Sequence, residues 1–363
     1  MTKVMLAGGA TGGHLYPGLA VAEHWKLSDP QVSITFVGTA RGLEEKVLGQ
    51  SDFHFVAMKT PTLMDKKGVM RYLAGLKLPM TLLGCLLLLI RSRVQLVLGL
   101  GGYSAGPPLL AGWLLGIPTA IMEQNAVPGK TNQWLGRVTK KIFVWFQKAG
   151  SYFPSSKIFR SGIPVRREIR QVASHQAARA PHSDQLTLVI LGGSQGARSV
   201  NELILAALPQ LTSLGRRLKI IHQTGPWTGA QLKEGYLRFG LEAVVVPFIE
   251  DMASVYGKAD LVVARAGAGT LAELAATGRP SILIPYPYAA SGHQQANAAE
   301  FFQAGASVVQ AEAAATGESL GREIVALLLD PKRRDAMSRA ALKLDRPNAA
   351  ADIVEQCMKL ICA

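Results

Sequence analysis

Val4-Met5-Leu6-Ala7-Gly8-Gly9-Ala10-Thr11-Gly12-Gly13-His14 stands at the start of the chain. The four apolar residues read as a buried strand. The glycines that follow remove the side chains that would keep a ligand away from the backbone. A helix-like stretch takes over near Pro17, so free N–H groups and the positive end of a helix converge where an anion would be held. Leu188-Val189-Ile190-Leu191 runs in the same way into Gly192-Gly193-Ser194-Gln195-Gly196-Ala197-Arg198. Two similar α/β units facing a shared site are the expectation.

Outward from these loops the pattern repeats. Short apolar or β-branched runs occur at Val4–Ala7, Ser33–Val37, Gln95–Leu98, Pro118–Met122 and Ile142–Phe146. They recur at Leu188–Leu191, Lys219–His222, Ala243–Val246, Leu261–Ala264 and Ser281–Ile284. Near-continuous hydrophobicity marks strands covered on both faces, and alternation with helical stretches predicts parallel sheets. The fold class expected is α/β, with two Rossmann-like doubly wound domains facing a cleft and ligands at the carboxyl ends of the strands. Residues 1–163 form the first expected domain and 164–345 the second. The tail 346–363 is expected to be a helix that packs back on the first domain.

The chain has 363 residues, enough for two cores, and 48% of them are hydrophobic, which excludes a disordered chain and a multi-span membrane protein. A net charge of +14 points to an anionic partner. Its arginines fall mainly in loops at strand ends rather than on one basic, aromatic-studded face, which argues against nucleic acid. Three cysteines without metal-ligand spacing suggest a reduced compartment with neither disulfides nor structural zinc. Met1-Thr2-Lys3 enters the first strand directly, so no signal peptide is expected. Between Lys66 and Arg93, basic residues alternate with leucines. The apolar run Leu78–Ile90 is too short for a span needing roughly 20 residues. Leu82–Ile90 is expected to be a buried helix, and Val69–Met80 a segment that touches either the protein interior or an anionic lipid surface.

Dinucleotide binding fails a direct test. Gly267-Ala268-Gly269-Thr270-Leu271-Ala272 is the nearest match to the fingerprint, yet the region where a ribose-holding acid belongs reads Ile284-Pro285-Tyr286-Pro287-Tyr288. Glu273, inside the helix that this loop opens, suits a nucleoside's ribose hydroxyls instead. Neither main loop has the lysine of a Walker A motif, and there is no Asp-x-Asp pair to hold a divalent ion on a diphosphate. Charge neutralisation would fall to helix dipoles, backbone amides and arginines, with Arg166, Arg198 and Arg265 available.

Five motifs then occur in order: the Gly8–His14 loop, Gly101-Gly102-Tyr103-Ser104-Ala105-Gly106-Pro107, Glu123-Gln124-Asn125, the Gly192–Arg198 loop and Gln294-Gln295-Ala296-Asn297-Ala298. Together they closely resemble the MurG family of bacterial peptidoglycan N-acetylglucosaminyltransferases, which has the two-domain GT-B fold. The resemblance implies inverting, metal-independent transfer of N-acetylglucosamine from UDP-N-acetylglucosamine to the C4 hydroxyl of the muramyl sugar of lipid I, giving lipid II and UDP. It implies no cofactor, and a peripheral place on the cytoplasmic face of the inner membrane. A GT-B transferase with another lipid acceptor, such as a diacylglycerol, is the alternative.

On this resemblance the donor is held by Thr11, Gly12, Gly13, Asn125, Arg166, Ser194, Ile249, Ala268, Gly269, Thr270, Leu271, Ala272, Glu273, Gln294 and Gln295. Ser194 would bond a phosphate oxygen, Arg166 would reach the diphosphate, and the backbone at Phe248-Ile249 would read uracil. Glu273 would hold the ribose. Gln294 and Gln295 offer donors and acceptors to sugar hydroxyls. Gly12, Gly13, His14 and Tyr103 are the acceptor-side residues. The family signature has asparagine where Ile163 stands and commonly leucine where Gly269 stands. His14 is the candidate general base, since an ordinary imidazole titrates near ~6.5. A histidine at a helix start equally suits orienting a phosphate, and Glu123 is the alternative base.

Overall fold

The structure is a computed structural model and describes residues 1–9, 11–39, 43–58, 78–176, 185–193, 196–226 and 229–363. The chain divides into two compact units, one formed by Met1–Arg166 with Arg346–Ala363 and the other by Arg167–Asp345.

The first unit is built on a parallel sheet of strands β1 (Lys3–Gly8), β2 (Ser33–Gly38), β3 (His54–Ala57), β4 (Leu96–Gly101), β5 (Thr119–Glu123), β6 (Lys141–Val144) and β7 (Ile158–Phe159). Their spatial order is β3-β2-β1-β4-β5-β6-β7. In the second unit β8 (Leu186–Leu191), β9 (Leu218–Gln223), β10 (Glu242–Val246), β11 (Leu261–Ala264), β12 (Ser281–Leu283) and β13 (Ser307–Val309) run in the order β10-β9-β8-β11-β12-β13. Both sheets start at the centre, wind to one edge, then return and wind to the other. The strand order therefore reverses between β1 and β4 and again between β8 and β11. A doubly wound sheet opens its ligand crevice at such a reversal, and the two glycine loops follow β1 and β8.

Central strands form where the sequence predicts them, because each is buried on both faces: β4 and β8 have no exposed residue. β3, β7 and β13 escape the sequence reading. All three are edge strands of two to four residues, and β3 and β7 are at most half-buried, so none needs a continuous apolar run.

Helix Ala349–Cys362 belongs to the first unit. It lies against helix Gly12–Ser28 and places Ile353, Val354 and Cys357 in the core formed by Leu6, Trp25, Phe36 and Leu98. Gly162 makes this junction possible: with φ of +84°, an added Cβ would come within 2.3 Å of the Arg346 Cβ.

The apolar run after Leu78 needs correction. It is a helix, Leu78–Ser92, but only Thr81, Cys85 and Leu89 along one face are buried. Met80 is 76% exposed and Ile90 57%, with Leu83 and Leu87 on the open side between them. This helix packs beside helix Gly106–Leu114, where Trp113, Leu114 and the following Leu115 are also exposed. An apolar run alone cannot separate a helix packed all round from one packed on a single stripe. Most of the expected interfacial segment, up to Lys77, lies outside the described residues. Among the described residues no helix is long and apolar enough to cross a membrane.

Candidate active site

His14 lies in the first turn of helix Gly12–Ser28, which Thr11 precedes in extended conformation without a side-chain cap. No acidic residue occupies that turn, so no carboxylate offsets its dipole. The imidazole is half-buried, and its Nδ1 lies 3.1 Å from Gln124 Oε1. Gln124 is buried and donates from Nε2 to the Leu100 carbonyl at 2.7 Å. Gly101 is required here. Its φ is +111°, and a Cβ would stand 2.6 Å from His14 Nδ1. The Gly101-Gly102 backbone thus closes against the ring, and Tyr103, half-buried, starts the short 3-10 turn that follows.

Glu123 ends β5 and is 3% exposed. Its Oε1 accepts from the Asn125 backbone N–H at 2.9 Å and from Asn125 Nδ2 at 3.3 Å. Its Oε2 accepts from Gly129 N–H at 3.2 Å and Asn132 Nδ2 at 2.8 Å. Burial pushes the carboxyl above the usual range, and these hydrogen bonds pull the other way. Both oxygens are turned into their own loop. Arg166, at the end of this unit, holds its guanidinium 4.3 Å from the centre of the Tyr16 ring, two residues beyond His14.

In the second unit Ser194 lies outside the described residues. Around it, Gly193 has φ of +80°, and Gly196 at +73° has its Cα face packed so closely that a Cβ would meet the Thr224 carbonyl at 2.5 Å. Gln223, at the end of β9, ties this loop to the next: Nε2 donates to Gly193 O at 2.9 Å, and Oε1 accepts from Ile249 N–H at 3.0 Å. The N–H of Ile249 is therefore engaged internally, and its side chain is buried. Behind the loop lies a buried chain of hydrogen bonds. Asn201 Nδ2 donates to Thr224 O, Asn201 Oδ1 faces His222 Nε2, and His222 Nδ1 faces the Tyr236 hydroxyl. Burial lowers the His222 pKa to about 3, so the ring is neutral.

Helix Ala268–Thr277 follows Gly267 without a side-chain cap, again with no acid in its first turn. Gly269 and Thr270 are half-buried there, whereas Ala268, Leu271 and Ala272 are buried, so what this segment offers a ligand is mainly backbone amide. Glu273 is half-buried and accepts from the Tyr256 hydroxyl at 2.9 Å. Asn297 Nδ2 donates to Ala266 O at 3.1 Å and holds the turn before this helix. Gln294 and Gln295 both engage the loop between β12 and their own helix. Gln294 Oε1 accepts from Tyr286 N–H at 2.9 Å, and Gln295 Nε2 donates to Pro287 O at 3.3 Å. Of the remaining arginines, Arg198 pairs with Glu202 on the surface. Arg265 is buried against Glu312, with further bonds to Ile284 O and Ser199 Oγ. Gln124, Gln223, Tyr256 and Asn297 are the residues whose roles the sequence reading missed. Gln124 and Asn297 stand in quoted motifs, but only long-range hydrogen bonds reveal what they do. Among the described residues no group of three or more His, Cys, Asp or Glu is placed to hold a metal ion.

Two doubly wound units, each with a glycine turn at its strand reversal, define an enzyme fold of the two-domain α/β class with a ligand crevice in each sheet. The model of the glycosyltransferase family 28 N-terminal domain matches residues 4–144, and that of the C-terminal domain matches residues 187–356. The chain is 42% identical to a UDP-N-acetylglucosamine–N-acetylmuramyl-(pentapeptide) pyrophosphoryl-undecaprenol N-acetylglucosamine transferase of Anaeromyxobacter sp. (strain K), over 99% of this chain and 93% of that protein. It is 41% identical to the transferase of the same name from Syntrophus aciditrophicus, covering 99% of both chains. The crystal structure of Acinetobacter baumannii MurG superposes with a TM-score of 0.79 at 32% identity, covering 99% of this chain and 100% of that one. The chain belongs to the MurG family of glycosyltransferase family 28, and its fold is GT-B.

Proposed function

We propose that this chain transfers N-acetylglucosamine from UDP-N-acetylglucosamine to the C4 hydroxyl of the muramyl sugar of lipid I, yielding lipid II and UDP. The observation that carries the reading is its 42% identity, over 99% of its length, to a transferase named for that donor and acceptor. In the second unit, the amides of Gly193 and of residues 268–270 take the donor diphosphate, and Glu273 takes the ribose hydroxyls. Gln294 and Gln295 hold the sugar-facing loop. In the first unit His14 Nε2 removes the proton from the acceptor hydroxyl. The resulting oxygen forms its bond to the anomeric carbon as the bond from that carbon to the β-phosphate oxygen breaks, and the electron pair leaves with UDP. Displacement from the opposite face inverts the anomeric centre. Glu123, with both oxygens engaged, orders the Asn125–Asn132 loop instead of taking a proton.

The exposed Met80–Ile90 face with Trp113 and Leu114 meets the acyl boundary of the cytoplasmic leaflet. Arg91 and Arg93, exposed at the end of the same helix, meet anionic headgroups. Incubation with UDP-N-acetylglucosamine and a short-chain lipid I analogue tests the reaction. The expected product is the disaccharide-linked lipid, and transfer to a diacylglycerol in its place would overturn the reading.

A further inference from the structure

The pairing of His14 with Gln124 has a chemical direction. Gln124 Nε2 lies 2.7 Å from the Leu100 carbonyl, a buried contact at the end of β4. A carbonyl oxygen only accepts, so the amide end facing Leu100 is its NH2 group. The other end, 3.1 Å from His14 Nδ1, is then the amide oxygen, which also only accepts. His14 Nδ1 must supply the hydrogen. In a neutral imidazole this makes Nε2 the nitrogen without hydrogen, the acceptor of the ring.

Three features hold the amide to this choice. Gln124 is 2% exposed, so water does not compete for either end. Its backbone follows directly from Glu123, whose four hydrogen bonds fix the strand end. Gly101 brings the main chain so close that a Cβ would lie 2.6 Å from Nδ1 and 3.3 Å from Gln124 Oε1, and its absence lets the two side chains meet.

We propose that Gln124 is a positioning residue that fixes His14 as the Nδ1–H tautomer, so that Nε2 is the unprotonated nitrogen that takes the acceptor proton. The second half of this statement rests on His14 being the base. Because the partner is a neutral amide, it sets the tautomer without placing a negative charge beside the phosphates of the substrates.

The test uses the full chain with 15N-labelled histidine. Two-bond 1H–15N correlation spectra, assigned with His14→Ala, report which ring nitrogen of His14 carries hydrogen when the imidazole is neutral. The wild type is expected to show Nδ1–H with Nε2 unprotonated. Gln124→Met keeps the volume and removes both ends of the amide. It is expected to move His14 toward the Nε2–H form and lower kcat about 10- to 100-fold, with donor KM changed by less than about twofold. Gln124→Glu should restore the tautomer and much of the turnover. Buried there, its carboxyl is favoured in the neutral form, with an O–H for Leu100 and a C=O for His14. A wild-type His14 protonated on Nε2 overturns the proposal, and that result does not depend on the folding of any Gln124 variant. So does a Gln124→Met protein with unchanged tautomer and kcat. Unimpaired kcat in His14→Ala, beside a wild-type Nδ1–H spectrum, would instead remove the base role and leave the tautomer assignment standing.

Discussion

Gln124, directly after β5, and Gln223, the last residue of β9, each sit at the carboxyl end of a strand with both ends of the amide engaged. One end of each grips the backbone beside a glycine turn. The other ends differ: Gln124 receives a titratable ring, and Gln223 receives a backbone N–H from the Ile249 loop. The first unit uses the shared scaffold to orient a group that can exchange a proton, and the second uses it to hold two loops in register. Duplicate architecture therefore does not imply duplicate chemistry, and the division shows in what the fixed amide is given to hold.

The sharpest way to break this contrast is His14→Ala. Turnover should fall by about 10²–10⁴-fold while UDP binding by calorimetry stays near wild type. A protein that loses UDP affinity and keeps kcat would give both units the same job. Gln223→Met should do the reverse. Leaving Gly193 O and Ile249 N–H without their buried partner costs about 1–3 kcal/mol, read as roughly 10- to 100-fold weaker UDP binding with kcat largely kept.

The network behind the second loop gives this unit its own acid sensitivity. His222 has a folded-state pKa of about 3 against an unfolded value near ~6.5, so protonation favours the unfolded chain. Its contribution is complete above about pH 6.5 and is lost as pH falls toward 3. Between pH 7 and 5 the second unit should lose about 2 kcal/mol in urea unfolding, and His222→Gln should flatten that slope. Tyr256→Phe removes one hydrogen bond to the Glu273 carboxylate. It should weaken UDP binding about 3- to 10-fold, with a smaller effect on a deoxyribose analogue of UDP. The smallest expected effect is on chemistry with a soluble acceptor. Leu83→Glu with Leu87→Glu should abolish sedimentation with anionic vesicles and leave kcat on a short-chain analogue within about twofold.

Much of this was legible in the sequence because it depends on local cues. Glycine loops after apolar strands marked both sheet centres, and strands buried on both faces announced themselves by continuous hydrophobicity. Edge strands such as Ile158–Phe159 carried no such run. The Leu78–Ser92 helix was found, but its exposed side was not, since leucine reads alike on a packed or an open face. Gln124 was quoted within a motif, yet its partner is 110 residues away, and no local pattern encodes that pairing. Glu123 reads in the sequence as an alternative base, and only the fold shows that its oxygens accept from Asn125, Gly129 and Asn132.

The path of the chain also sets an order of assembly. It leaves the first unit at Arg166 and returns only at Arg346, so the core around Trp25 and Leu98 is completed by Ile353, Val354 and Cys357. The whole contiguous Arg167–Asp345 unit precedes those side chains in the order of synthesis. The unit made first is therefore the last that can close its core, and its strands wait for the final helix. Chains cut short near Asp345 should carry a finished second unit and a first one whose core lacks Ile353, Val354 and Cys357.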